Sequence, residues 1–293
     1  MASEMCAACN RREWFLPKRI ILIRHGESEG NRDTTTFENT PDYKIPLTAL
    51  GLSQARFAGK AIRNIVEVPS RSEIEKNWKV YFYVSPYERT RQTMREIGKA
   101  FPKERIIGAR EECRIREQDF GNFQIATKME LIKKTRMRYG RFFFRFPDGE
   151  SAADVFDRIC GFMESLWRDI EMKRLNQDSE CDINLVIITH GVASRVFLMK
   201  WFKWTVDQFD GLNNPDNCEH RVLELGSGGE YSLAINHSPD ELREWGLSPE
   251  MIVDQQWRAT ATGGSKGSLD DFFDGEEEET EENNNHQNDQ NSN

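Results

Sequence analysis

Two histidines and two arginines, far apart in the chain, stand in settings that suit phosphate chemistry. Arg24-His25-Gly26-Glu27 ends one apolar run and Thr189-His190-Gly191 ends another. Ser85 ends a third, with Arg89 following in the next helical pattern. A guanidinium presents a planar fork of donors that matches phosphate oxygens two at a time and stays charged at any working pH. Neutral imidazole is a competent nucleophile near neutral pH, and a second imidazole beside it can donate to the group in transit. Glycine after each histidine lets the backbone turn tightly and keeps the ring accessible. None of this is informative singly: a lone R-H-G tripeptide is common, and a histidine at a strand end is more often a satisfied structural residue than a nucleophile. The joint placement after buried runs carries the inference. His220, His237 and His286 lack such a setting and read as structural or solvated.

The elements that must position these groups are legible. Ile20 to Ile23, Val80 to Val84 and Ile183 to Ile188 are short, β-branched or aromatic, and continuous rather than alternating, the pattern of strands buried on both faces. Helical patterns lie between them. One runs from Ala49 to about Val66, with Leu52, Ala55, Ile62 and Val66 facing inward. Ser85-Pro86-Tyr87-Glu88 predicts a helix start, with Ser85 as cap, Pro86 in the first helical position and Glu88 three residues after the cap. Ser151 and Asp154 repeat the capping spacing before Val155, Ile159, Phe162, Met163, Leu166 and Ile170 on one face. Strand and helix alternate, so the fold class is α/β, a three-layer sandwich with a mainly parallel central sheet. In such sheets the ligand site lies beyond the carboxyl ends of the strands, which is where the histidines and arginines fall. Helix starts near Ser85 and after His190 would add free N–H groups and a positive dipole end.

Residues 1–17 read as an N-terminal extension, 18–261 as the folded domain and 262–293 as a disordered acidic and Asn-rich tail, too polar to offset its ordering entropy. The net charge of −9 resides in that tail, mostly between Asp270 and Glu282, so the body is near balance and no global field names a partner. No apolar run approaches the roughly 20 residues of a membrane span, and no signal peptide is evident, so the expected location is cytoplasmic, away from membranes. Six scattered cysteines fit reduced thiols; Cys6 and Cys9 form a C-x-x-C with no second pair at metal-ligand spacing. Neither a metal nor a cofactor is expected.

Taken together, the motifs resemble the signature of the histidine phosphatase superfamily, also called phosphoglycerate-mutase-like, and within it the small members described from plants. Arg24-His25-Gly26-Glu27-Ser28 with Asn31 resembles its first motif. Leu47-Thr48 with Gly51 and Gln54-Ala55 is similar to its L-T-x-x-G-x-x-Q-A segment, and Ser85-Pro86 with Arg89-Thr90 and Gln92-Thr93 to its S-x-x-x-R-A-x-Q-T helix. Gly149-Glu150-Ser151 with Asp154 resembles G-E-S-x-x-D, and Thr189-His190-Gly191 the second histidine motif. The resemblance spans roughly residues 19–236. It implies that His25 attacks phosphorus and becomes a phosphohistidine, that His190 stabilises the transferring group, and that Arg24 and Arg89, with Asn31, bind its oxygens. Charge pattern alone leaves Glu111, Glu112, Glu117 and Asp119 open as the general acid; the family's L-x-E-x-x-x-G spacing singles out Glu117.

Departures from the family favour a hydrolase of small phosphorylated substrates, in the setting of carbohydrate metabolism, over a cofactor-dependent mutase. Gln118 stands where mutases carry an arginine for the substrate carboxylate, Val192 where an asparagine usually follows the second H-G, and Thr34 to Pro46 lacks their W-x-D-x-x-L pattern. A silent scaffold is disfavoured because Arg24, His25, Arg89, Glu117 and His190 are all retained. Between Arg136 and Phe146, arginines interleave with Tyr139, Phe142, Phe143, Phe144 and Phe146. A wall over the site, aromatics inward and arginines toward an anionic substrate, suits this stretch better than nucleic-acid binding. Trp201 and Trp204 read as core or interface residues.

Overall fold

The computed structural model describes residues 16–67, 77–175 and 181–261. The acidic tail, the Cys6–Cys9 pair, His286 and most of the N-terminal extension lie outside them. Leu16 packs against the core and the carbonyl of Pro17 accepts a hydrogen bond from the Tyr231 hydroxyl, so the body begins slightly before Lys18.

In chain order the elements are β1 (Arg19–Arg24), α1 (Glu29–Arg32), α2 (Thr36–Asn39), α3 (Ala49–Glu67), β2 (Asn77–Val84), α4 (Glu88–Gly98), β3 (Ile106–Glu111), α5 (Ala126–Tyr139), α6 (Ala152–Glu171), β4 (Cys181–Thr189), α7 (Gly191–Phe202), α8 (Val206–Gly211), β5 (His220–Leu225), β6 (Tyr231–Ser232), α9 (Pro239–Glu244) and α10 (Pro249–Thr260). One sheet runs in the order β3-β2-β4-β1-β5-β6. Its first four strands are parallel; β5 is antiparallel to β1, and β6 to β5.

The unbroken apolar runs are explained by the layers on either side. Ile21, Ile23, Val80, Phe82, Val84, Val186 and Ile188 pack with α3 and α4 on one face. Ile20, Leu22, Tyr83, Leu185 and Ile187 pack with α6 and α7 on the other. Each fully buried aliphatic side chain contributes roughly 1.5–3 kcal/mol, so these strands are held from both sides. The expected stripe on α6 is buried throughout, behind a capping box in which Ser151 and Asp154 bond each other's backbone N–H. On α3, Ala55, Ile62 and Val66 face inward as the spacing predicts, but Leu52 is only half-buried. Gly51, Ala58 and Gly59 take the rest of the stripe. Trp204 is buried, and Trp201 stacks between Trp167 and Phe197, so both tryptophans belong to the core.

Parallel pairing brings three strand ends side by side. Arg24 lies opposite Thr189 and Val84 opposite Ile188. Beyond the last pairs, His25 N–H donates to Thr189 O (3.1 Å) and Ser85 N–H to Ile188 O (3.0 Å). Groups separated by 165 residues thus become neighbours.

Candidate active site

His25 and His190 meet edge to face, ring centroids 5.2 Å apart, both almost fully buried. His25 Nδ1 lies 2.7 Å from the carbonyl oxygen of Gly26, which can only accept, so Nδ1 carries the proton. The lone pair is then on Nε2, where Arg89 Nε–H points at 3.2 Å. His190 is held by its other nitrogen: Nε2 is 2.7 Å from Ser85 Oγ, while Nδ1 is buried with no partner. A buried polar atom left open in this way needs an explanation, and a bound oxyanion supplies one. A hydroxyl can donate or accept; in the tautomer in which Ser85 O–H donates to Nε2, Nδ1–H is the donor His190 offers.

The electrostatics suit a nucleophile. Burial, then the nearby charges of Arg89 and Arg24, holds His25 well below the usual imidazole range. His190 is depressed in the same direction, chiefly by burial. Both rings are therefore neutral at working pH. Arg24 is lowered too, by burial, but an arginine starts high enough to remain a cation. Its Nη1 donates to Pro215 O (2.7 Å) and its Nε is buried and unpartnered.

Arg89 is clamped by a residue the sequence reading missed. Its Nη1 donates to the Asp42 carboxylate (2.7 Å) and to the Asp42 carbonyl (2.8 Å). Asp42 belongs to the segment from Thr34 to Pro46, noticed in the sequence only for lacking the mutase pattern. The same segment is tied to the rim: Glu38 Oε1 accepts from Ala126 N–H (2.9 Å), and Phe37 O from Gln124 N–H (3.1 Å). Tyr87 was missed as well. Its ring packs edge-on against His190 and lies 4.8 Å beneath the Arg89 guanidinium, and burial raises its hydroxyl above the usual phenol range. Asn217, in the loop before β5, donates to His25 O (3.1 Å) and to Asn31 Oδ1 (3.2 Å); no strand-end signal marked it.

One local expectation is overturned. Ser85 does not cap a helix: α4 begins at Glu88, its cap position is Tyr87, and no side chain caps it. Pro86 and Tyr87 lie before the helix, Tyr87 in an extended conformation, so the Ser85 hydroxyl is left for His190 and Arg89 becomes the second residue of α4.

The remaining motif residues hold the loop after β1. Gln54 Oε1 accepts from Glu27 N–H (2.8 Å), Thr48 Oγ–H donates to the Glu27 carboxylate (2.7 Å), and Thr93 Oγ1 accepts from Gly26 N–H (3.1 Å). Gly26 and Gly51 touch backbone to backbone. A Cβ at Gly51 would lie 2.1 Å from Glu27 O, and one at Gly26 would lie 2.4 Å from Gly51 O. Asn31 is exposed, and its Oδ1 is committed to the cap of α1 through Ser28, so only its amide N–H groups are left for a ligand.

Of the four candidate acids, Glu117 is the one whose side chain reaches the helix that follows His190. Its carboxylate accepts from Val192 N–H (3.1 Å) and Ala193 N–H (3.3 Å), the first turn of the helix that His190 caps. Glu112 is paired with Arg114, Glu111 sits half-exposed near Arg91, and Asp119 closes its own turn onto Gly121 N–H. Gln118 is buried, and its amide donates to Glu150 O (2.8 Å) rather than toward a ligand.

The stretch from Arg136 to Phe146 departs from the expected wall. Phe142 and Phe146 are buried, but Tyr139 and Phe143 are mostly exposed, and Arg145 is paired with the cap residue Asp154. Among the described residues, no group of three or more His, Cys, Asp or Glu side chains is placed to hold a metal. His237 Nε2 accepts from Val222 N–H, a structural role.

Two neutral histidines and two arginines gathered at the carboxyl ends of a parallel sheet define a class. The model of the histidine phosphatase superfamily (branch 1) matches residues 20–238, and the chain belongs to that family. It is 61% identical to phosphoglycerate mutase-like protein AT74 of Arabidopsis thaliana over 89% of this chain and 83% of that one. To broad-range acid phosphatase DET1 of Saccharomyces cerevisiae it is 32% identical, over 71% and 86%. Among solved structures, a mycobacterial glucosyl-3-phosphoglycerate phosphatase shares the fold, with TM-score 0.55, 19% identity and coverage of 71% and 91%. No helix among the described residues is long and apolar enough to cross a membrane.

Proposed function

We propose that the chain is a metal-independent phosphatase that hydrolyses small phosphoesters through a phosphohistidine on His25. The observation that carries this reading is the pairing of a deprotonated His25 Nε2, its lone pair met by Arg89 Nε–H and the ring proton held on Nδ1 against Gly26 O, with the unpartnered His190 Nδ1 in the neighbouring ring. His25 Nε2 forms a bond to phosphorus as the P–O bond to the leaving group breaks. Arg24, Arg89 and His190 Nδ1–H meet the equatorial oxygens, with Asn31 a further donor at the rim. Such clamping is the main protein contribution in phosphoryl transfer. The leaving oxygen takes a proton from Glu117. Water then attacks phosphorus, giving its proton to Glu117 as the P–N bond breaks and His25 recovers its lone pair.

Hydrolysis is favoured over mutase chemistry because Gln118 and Val192 offer no grip on a dephosphorylated intermediate. Gln118 is turned into the protein, and Val192 contributes only its backbone N–H, already given to Glu117. The likeness to a yeast enzyme named as a broad-range acid phosphatase supports the same choice. The test supplies 3-phosphoglycerate with catalytic 2,3-bisphosphoglycerate and follows 2-phosphoglycerate and free phosphate. Phosphate release without isomerisation, from this or another ester in a panel of sugar phosphates and phosphoglycerates, is the expected result. Interconversion at hundreds per second, in the upper range of enzyme turnover, would make the protein a mutase. Activity is expected to survive excess EDTA; strict dependence on an added divalent ion would overturn the metal-free mechanism.

A further inference from the structure

Arg158 is an arginine whose donors are wholly committed inside the protein. It lies two turns into α6, its side chain 10% exposed. Nε donates to Glu150 Oε1 (3.0 Å) and Nη2 to Glu150 Oε2 (2.9 Å), a two-pronged ion pair. Nη1 donates to Arg114 O (2.6 Å) and Arg116 O (2.9 Å), and Nη2 also to Glu117 O (3.0 Å). A guanidinium has five N–H donors, so none remains for a substrate. Three of the five grip carbonyls at Arg114, Arg116 and Glu117, in the segment that delivers Glu117.

Glu150 grips that segment from the other side. It accepts from Arg116 Nη2 (2.6 Å) and from Asp119 N–H (3.1 Å), while its backbone N–H donates to Asp119 O (2.8 Å) and its carbonyl accepts from Gln118. Gly149 lets the two strands of chain approach: a Cβ there would lie 2.3 Å from Asp119 O. The chain from 114 to 119 has no regular secondary structure beyond a single tight turn at Cys113–Ile115, so its course depends on these bonds.

We propose that Arg158, through Glu150, is a positioning residue that sets where the Glu117 carboxyl stands and so governs proton delivery to the leaving group. This rests on Glu117 being the general acid. A lysine keeps the charge of Arg158 but offers a point ammonium in place of the fork, and cannot hold three carbonyls and a carboxylate at once. The segment then drifts, and misplacing an acid by an ångström costs rate without altering the nucleophile.

The test uses the full chain and a series of aryl phosphates of similar shape: 4-nitrophenyl, phenyl and 4-methoxyphenyl phosphate. The readout is kcat/KM, which reports the steps up to phosphohistidine. A more basic phenol needs the proton more, so a defect in the acid grows along the series. Arg158→Lys and Glu117→Gln are each expected to lose at least tenfold more on 4-methoxyphenyl than on 4-nitrophenyl phosphate, relative to wild type. Glu150→Gln, which keeps the shape but weakens the ion pair, should show the same slope with smaller amplitude. It carries the test if thermal melting shows that Arg158→Lys does not fold. Equal losses on all three esters for the Arg158 and Glu150 variants, with a graded loss for Glu117→Gln, would overturn the positioning role and leave the acid in place. Equal losses for Glu117→Gln itself would remove the acid, and the proposal with it.

Discussion

At the scale of single residues, each histidine of the site has one ring nitrogen fixed by the protein, which sets what the other can do: His25 Nε2 carries a lone pair facing Arg89, and His190 Nδ1 is without a partner. His25 gives Nδ1 to Gly26 O and keeps Nε2; His190 gives Nε2 to Ser85 and keeps Nδ1. His25→Ala is therefore expected to abolish turnover with the fold intact. An alkaline denaturant quench of the wild type would trap a phosphoprotein of the imidazole type, stable in base and lost on later acid treatment, and the variant would yield none. Ser85→Ala removes the group that fixes the His190 tautomer, and a loss of roughly 10-fold or more in kcat/KM is expected, with melting little changed; an unaffected rate would show that the hydroxyl is dispensable. The depressed pKa of His25 carries a pH expectation. A base whose pKa lies well below 6.5 keeps its lone pair as the solution is acidified through 6.5. The acid limb of the kcat/KM profile should accordingly fall below pH 6.5, and a limb at or above that value would contradict the assigned nucleophile.

At the scale of elements, the loop after β1 that carries His25 and the start of α3 behave as one piece because Gly26 and Gly51 meet through their backbones. Gly51→Ala forces a Cβ into Glu27 O, and crowding of this kind costs about 1–3 kcal/mol. Melting should drop by several degrees and activity should fall with it. Gly98→Ala, near the end of α4 where a Cβ meets nothing within 4 Å, is the matched control and should do neither. This scale also shows what could be read in advance. Periodicity identified β1, β2, β4 and the buried face of α6, because burial on two faces or one leaves its mark on each residue in turn. The start of α4 was misread because Ser85 serves two grammars at once, that of a helix cap and that of a partner for a buried imidazole, and only the fold decides between them. Asp42, Tyr87 and Asn217 left no signal, since their places come from loops whose paths depend on distant contacts. Glu117 was reached through resemblance; the contacts that separate it from Glu111, Glu112 and Asp119 run to a helix 75 residues away.

At the scale of the whole molecule, four histidines are held below their ordinary pKa, each chiefly by burial: His25, His190, His220, and His237, which lies at about 4. The unfolded chain binds protons at these positions near pH 6.5 while the folded chain resists them, so stability declines as pH falls below 6.5 and stays level above it. Each unit of difference is worth about 1.4 kcal/mol, and the melting temperature should drop measurably between pH 6.5 and 5. A flat profile over that interval would mean that these rings are protonated in the fold. The rim has a consequence of its own. Asp42 ties the segment from Thr34 to Pro46 to Arg89, while Glu38 and Phe37 tie it to the start of α5. Anyone who transplants this segment from a relative to alter selectivity would also be exchanging the counter-ion of Arg89 and a side chain that caps the first N–H of the neighbouring helix. Grafts that carry Asp42, Glu38 and the Gln124–Ala126 edge together should remain active, whereas grafts that cut through those joints should lose turnover whatever ester is offered.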